Sequence, residues 1–226
     1  MMDIEIQNVL MAVFNWSEVW ALLIPLFVLY RLKRHQPEYL RPVITYLWIA
    51  LVINLTADSI ADLKSSIPWF PRGNLVFYNI HSIIRFVCFS YFFTLLLPQS
   101  FKALKNTLPV IFILFLTINF SIVENFLEKG HISGNLHAAE SYLLLIYCMS
   151  YYLSELKEDR KFQTSGKDFM VVTGLSIYVV TNFFVFLFYV PLLDENLKLA
   201  IDMWYVHNVA YVVLCIFIAR SFYVNA

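Results

Sequence analysis

The stretch DMWYVHNVAYVVLCIFIAR, from Asp202 to Arg220, has a polar first half and an apolar second half. The second half is suited to a lipid bilayer, whereas Asp202, His207 and Asn208 are not. Polar groups inside a bilayer are costly unless they face the interior of a helix bundle and find partners there. The stretch therefore predicts a membrane-spanning helix whose polar surface is confined to one end.

The composition of the whole chain agrees with this prediction. Of its 226 residues, 60% are hydrophobic and only 14% are charged, whereas soluble domains are about half apolar and about a quarter charged. Outside the apolar runs, no stretch is long enough for a soluble domain. We therefore predict an all-α, polytopic membrane protein in which residues 1–226 form a single transmembrane domain.

Seven segments contain the roughly 20 mostly apolar residues that a spanning helix needs. They are residues 12–31, 41–62, 74–97, 106–125, 135–154, 169–191 and 199–221. Short connections with turn-forming residues separate them, as in PWFPRGN, from Pro68 to Asn74. The sequence thus predicts seven transmembrane helices.

The basic residues alternate between the connections. Of 16 Lys and Arg residues, eleven lie on one side: Arg31, Lys33, Arg34, Arg41, Lys102, Lys105, Lys157, Arg160, Lys161, Lys167 and Arg220. Basic loops stay in the cytoplasm, so we predict an outside N-terminus and a cytoplasmic C-terminus in a bacterial inner membrane. The same bias accounts for the basic charge, and we expect no nucleic-acid partner.

The outer half of every segment carries its strongest polar groups. The candidate ligand-binding residues at this level are Asp58, Tyr78, His81, Arg85, His137, Glu140, Asn182, Trp204, His207 and Asn208. The inner halves, such as FFTLLLP, LPVIFILFL and VLCIFIA, are almost wholly apolar. We expect either a polar cavity open to the outside above an apolar plug, or a structural hydrogen-bond network at the same level.

Two further expectations concern charged residues. Arg85 cannot readily lose its proton, so it needs an acid nearby, which we expect to be Asp58 or Glu140. Four acids near the outer ends of segments are expected to reach the headgroup region: Glu18, Asp62, Glu124 and Asp202.

Three histidines on three segments raise the alternative of a metal. His81, His137 and His207 lie at comparable depth and would leave an open position, as catalytic zinc sites do. No HExxH, His-x-x-x-His or Cys-rich spacing accompanies them, so no metal or other cofactor is predicted and zinc stays the alternative. Retinal is not expected either, because Lys198 lies before the last segment rather than within it.

Four stretches carry a resemblance to a known group of proteins. YNIHSIIRFVCFSYFF, AAESYLLLIYCMSYY, TNFFVFLFY and WYVHNVAYVV resemble small seven-helix membrane proteins of Bacteroidota. The resemblance covers the third to the seventh segment. It implies that Glu140, Asn182, Trp204, His207 and Asn208 belong to a shared pattern, and it implies no activity.

These observations favour a receptor-like or sensory membrane protein with a small-molecule pocket in the outer half. Arg85 and the histidines would bind an anionic or polar group. Its expected partners are the bilayer, that ligand and a separate cytoplasmic or membrane signalling protein. One alternative is an intramembrane enzyme, such as a metal-dependent hydrolase, using the His/Asp/Glu cluster. The other is a proton-coupled transporter, against which the apolar inner half weighs.

Overall fold

The computed structural model of the chain describes residues 13–33, 35–63, 74–124, 132–157 and 166–224. Within these ranges every regular element is helical. The seven α-helices that lie wholly within these ranges are α1 (Ser17–Leu32), α2 (Arg41–Leu63), α3 (Leu75–Leu96), α4 (Lys102–Ile118), α5 (Gly134–Lys157), α6 (Lys167–Glu195) and α7 (Leu197–Tyr223). The predicted all-α class is confirmed.

Some boundaries differ from the predicted ones. Helix α4 begins at Lys102, earlier than the predicted residue 106, and ends in a π-helical turn over Asn119–Val123. Helices α6 and α7 are separated by Asn196 alone, whose side-chain Oδ1 accepts a hydrogen bond from Leu199 N at 3.2 Å. Asparagine is a favoured N-cap, so it starts α7 without a loop. The predicted start of the first segment, residue 12, lies outside the described residues.

Among the described residues, five helices are long and apolar enough to cross a membrane: α2, α3, α4 with its π turn, α6 and α7. The other two fall short for different reasons. Helix α1 has 16 residues, and α5 carries polar side chains along its length. The chain is therefore compatible with an integral membrane protein.

Six of these helices close into a ring. Going around it, α1, α2, α3, α5, α6 and α7 contact one another in that order, and α7 returns to α1. Helix α4 packs outside this ring, against α3 and α5.

The position of α4 corrects one expectation. Its apolar stretch LPVIFILFL was expected to contribute to the plug, yet only Leu108 and Phe112 of that stretch are buried. Ile113 and Ile122 are 61% and 80% exposed. An exposed apolar surface of this kind is suited to lipid, so α4 mainly faces the surroundings of the ring.

The two ends of the bundle carry different charges. Lys167 Nζ donates to Gln36 Oε1 at 2.9 Å, which places the start of α6 beside the α1–α2 connection. Ser133 N donates to Asn79 Oδ1 at 3.1 Å, which places the start of α5 beside the start of α3. The basic end, so defined, contains Lys33, Arg41, Lys102, Lys167 and Arg220. The acidic end contains Glu18, Asp58, Asp62, Glu124 and Asp202.

Aromatic side chains fill the bundle on the basic side of its centre. This aromatic layer consists of Phe86, Phe89, Phe92, Phe93, Phe112 and Tyr147, all of them buried. The rings of Phe86 and Phe112 stack with centroids 3.8 Å apart, and those of Phe93 and Tyr147 at 5.1 Å. The layer lies where the apolar plug was expected, and buried aliphatic side chains such as Leu47 and Leu214 belong to the same core.

A close approach of α6 and α7 at a glycine provides a test of this packing. A Cβ atom at Gly174 of α6 would lie 2.5 Å from Phe217 Cβ of α7. Small residues allow such close approach of membrane helices, and overpacking costs about 1–3 kcal/mol. We expect Gly174→Ala to lower the free energy of unfolding in detergent by about that amount.

The matched control is Val180→Leu, which adds a methylene on the exposed face of the same helix. We expect it to leave the melting temperature unchanged. Equal melting temperatures for Gly174→Ala and the wild type would contradict this account of α6–α7 packing.

Candidate functional site

A buried ion pair joins α3 to α5 near the centre of the ring. Arg85 Nε lies 2.5 Å from Glu140 Oε1, and Arg85 Nη2 lies 2.7 Å from Glu140 Oε2. Ser82 Oγ also donates to Glu140 Oε2. The guanidinium carbon lies 4.8 Å from the ring centroid of Tyr178, a cation–π contact. The bidentate geometry is the strong form of this pair, so Arg85 is fully engaged.

His207 of α7 connects three helices. Its Nε2 lies 2.9 Å from Glu18 Oε1 of α1, and its Nδ1 lies 2.6 Å from Asn182 Oδ1 of α6. All three side chains are buried. One imidazole thus ties α1, α6 and α7 together through both ring nitrogens.

A third polar contact connects α2, α3 and α7. The Tyr46 hydroxyl lies 3.1 Å from His81 Nε2 and 3.2 Å from the Tyr211 hydroxyl. The rings of Tyr46 and His81 stack with centroids 5.6 Å apart. His81 is therefore held by two tyrosines of the bundle interior.

Several buried polar atoms at the acidic end have no hydrogen-bond partner within the described part of the chain. They include Glu18 Oε2, both side-chain polar atoms of Asn54, Asp58 Oδ2 and both ring nitrogens of His137. The other carboxylate oxygen of Asp58 accepts a hydrogen bond from the Tyr78 hydroxyl at 3.3 Å. Buried groups of this kind are usually satisfied, and at the basic end Gln36 Nε2 is in the same state.

A cavity of about 550 Å³ lies at the acidic end between α3, α6 and α7. Its walls include Tyr78, Tyr189, Trp204 and Tyr205, with Asn15 and Asn74 as amide side chains. The volume lies within the range of small-molecule sites. Five aliphatic side chains complete the wall, and an apolar wall with few polar groups is typical of such sites.

The ten predicted residues are divided between this cavity and the interior beneath it. Tyr78 and Trp204 line the cavity. The other eight are buried below or beside it: Asp58, His81, Arg85, His137, Glu140, Asn182, His207 and Asn208. Two of the ten residues thus line a cavity, and the other eight belong to the buried interior.

The cavity and the network touch through aromatic contacts. The ring centroid of Trp204 lies 5.2 Å from that of His207 and 5.6 Å from that of Tyr78. Phe186 stacks on His137 at 4.4 Å and lies 5.2 Å from the His207 ring. A molecule in the cavity would contact Trp204, which rests directly on His207.

The three histidines have separate surroundings. His81 binds Tyr46, His207 binds Glu18 and Asn182, and His137 stacks on Phe186. Among the described residues, no group of three His, Cys, Asp or Glu side chains is arranged to hold a metal ion.

Glu18 was expected at the headgroup level, and this is wrong. It is buried and pairs with His207, because α7 packs against the start of α1. Asp62 and Asp202 are exposed. Glu124 is half-buried and accepts hydrogen bonds from Asn119 and Asn135 at 3.0 and 2.8 Å.

Sequence reasoning missed Tyr46, Tyr178 and Tyr211. All three are fully buried, and they contact His81, Arg85 and one another. A usable signal was present for Tyr46 and Tyr211, because a tyrosine in the middle of an apolar segment needs a hydrogen-bond partner once it is buried. Of the two acids expected beside Arg85, Glu140 is the partner.

Comparison with protein-family models, with curated proteins and with solved structures gives no match to this chain. The function is therefore inferred from the contacts within the structure alone.

The buried ion pair predicts a non-additive response to mutation. Removing one partner of such a pair costs about 3–5 kcal/mol, whereas replacing both by apolar residues is often neutral. We expect Arg85→Met and Glu140→Leu each to lower the melting temperature strongly, and the double variant to recover most of the loss. Thermal unfolding of the four proteins in one detergent measures this. Additive losses in the double variant would contradict the pairing.

Proposed function

We propose that the protein is a seven-helix, receptor-like membrane protein that binds a small molecule in the cavity at the acidic end. The observation that carries the proposal is the contact of Trp204, a cavity wall residue, with His207 of the buried network. A ligand that contacts Trp204 would thereby act on the side chain that ties α1, α6 and α7 together.

The arrangement in the membrane belongs to the same proposal. All seven helices cross the bilayer, with α1 and α5 shielded by their neighbours and the acidic end outside. The separation of the two ends supports this, because Lys33, Arg41, Lys102, Lys167 and Arg220 share the basic end. Basic residues favour the cytoplasmic side, here that of a bacterial inner membrane.

The packing of the inner half favours a receptor over a transporter. A transported solute or proton needs a polar route between the two ends. Below Arg85, the ring interior is filled by the aromatic layer, in which Phe89, Phe92 and Phe93 are completely buried. A signal would instead pass through helix movement to a separate cytoplasmic or membrane partner.

The orientation has a direct test with an impermeant maleimide. Lys198 and Lys102 are exposed near opposite ends of the bundle. In a Cys88→Ser background, where Cys148 and Cys215 stay buried, we expect Lys198→Cys to be labelled in intact spheroplasts. Lys102→Cys should be labelled only after permeabilisation. The reverse labelling pattern would show that the acidic end faces the cytoplasm.

Ligand binding has its own test. Ile201 lines the cavity on an exposed part of α7, so Ile201→Trp should fill the cavity without disturbing the bundle interior. In a thermal-shift screen of small aromatic amines, alcohols and acids, at least one compound should stabilise the wild type. At a ligand concentration a hundred times the dissociation constant, binding stabilises the folded protein by about 2.7 kcal/mol.

We expect Ile201→Trp to abolish that shift. The matched control is Leu114→Trp, which places the same side chain on the exposed face of α4 away from the cavity, and it should respond like the wild type. If no compound stabilises the protein, or if Ile201→Trp responds fully, the cavity is not a ligand site.

A further inference from the structure

The cavity walls favour cations over anions by their aromatic character. The rings of Tyr78 and Trp204 lie 5.6 Å apart with an interplanar angle of 83°, and those of Tyr189 and Trp204 lie 5.6 Å apart at 40°. Aromatic faces carry negative partial charge, and several of them around one cavity bind ammonium groups. The arrangement of these three rings provides such faces.

The hydrogen bond of Tyr78 also favours a cationic ligand. Its hydroxyl proton is donated to Asp58 Oδ1 at 3.3 Å. A phenol has one proton to donate, so only its acceptor lone pairs remain for a cavity ligand. Tyr78 therefore presents an acceptor that is backed by a carboxylate, and this favours a donor such as an ammonium group.

The distribution of buried charge points in the same direction. Arg85 is neutralised by Glu140 through two short contacts, and Glu18 has His207 as its partner. Asp58 is bound through one oxygen to Tyr78, and its Oδ2 has no partner within the described part of the chain.

The groups at the mouth of the cavity add to this imbalance. Glu195, Lys198 and Asp202 are exposed around the α6–α7 junction, two acids to one base. None of the residues that line the cavity is itself charged. Among the side chains that the structure describes, the unbalanced charge nearest to the cavity is thus negative, that of Asp58 behind Tyr78.

From these observations we infer that the cavity binds an organic cation, an ammonium group on an apolar body. Tyr78, Tyr189 and Trp204 surround the ammonium group, and Asp58 supplies the counter-charge through the Tyr78 hydroxyl. The inference rests on the proposed function, since it names the chemical class of the ligand of the same cavity. It replaces the expectation that Arg85 binds an anion, because Arg85 is occupied by Glu140.

Three probes of similar shape test the charge preference: 2-phenylethylammonium, 2-phenylethanol and 3-phenylpropionate. Binding is measured by thermal shift and by titration calorimetry at pH 7, with the full chain in nanodiscs of zwitterionic lipid and with empty nanodiscs as blank. We expect the ammonium probe to bind at least about tenfold more tightly than the alcohol, and the carboxylate more weakly than both.

Two variants test whether Asp58 causes the preference for the ammonium probe. Asp58→Asn should bring the ammonium probe to within about twofold of the alcohol, because the counter-charge is removed while the shape is kept. The matched control is Asp62→Asn, which removes an exposed acid from the next turn of α2 and should keep the preference. The wild-type comparison of the three probes decides the charge class even if Asp58→Asn does not fold.

Each result has one meaning. If the alcohol or the carboxylate binds as tightly as the ammonium probe and Ile201→Trp removes that binding, the cavity is a ligand site and the cation inference is wrong. Binding that Ile201→Trp does not affect reflects the lipid or another surface and also counts against the inference. If none of the three probes binds, the inference is wrong, while the broader screen above decides the proposed function.

Discussion

The ion pair between Arg85 and Glu140 is the interaction on which the rest of the bundle depends. Two charges removed from water are tolerated only with close, hydrogen-bonded geometry, and the contacts of 2.5 and 2.7 Å provide it. The pair fixes both the distance and the rotation of α3 and α5. Once α3 is fixed, His81 and Ser82 must face the interior, since they lie one turn from Arg85 on the same helix face.

The same requirement explains how the bundle is divided along its length. On the acidic side of the pair, some polar side chains bond to neighbouring helices of the ring, as His207 does with Glu18 and Asn182. On the basic side the interior is mostly apolar, and its polar groups also pair between helices, as Tyr147 of α5 does with Ser90 of α3 at 3.0 Å. Lys105 donates to the carbonyl oxygens of Thr94 and Leu97 at the end of α3, where the helix dipole favours a cation.

The positions of the seven helices could be predicted because long apolar runs mark them one by one, without knowledge of their neighbours. The partners of the buried polar side chains could not be predicted, since they depend on the order of the helices around the ring. Glu18 lies near the beginning of α1 and reads as an interfacial acid, yet α7 covers it. The position of α4 outside the ring could not be predicted either, because an apolar helix that faces lipid and one that fills a core have similar sequences.

The contacts that stabilise the bundle differ from the contacts that a ligand in the cavity would alter. The Arg85–Glu140 pair joins α3 to α5, whereas the contact of Trp204 with His207 acts on α1, α6 and α7. A ligand shifts the equilibrium between two conformations of a protein only if its contacts differ between them. Here a ligand that moves Trp204 would alter the contacts of His207 with Glu18 and Asn182 and leave the ion pair intact. One side of the ring can then respond to binding while the other keeps the bundle assembled.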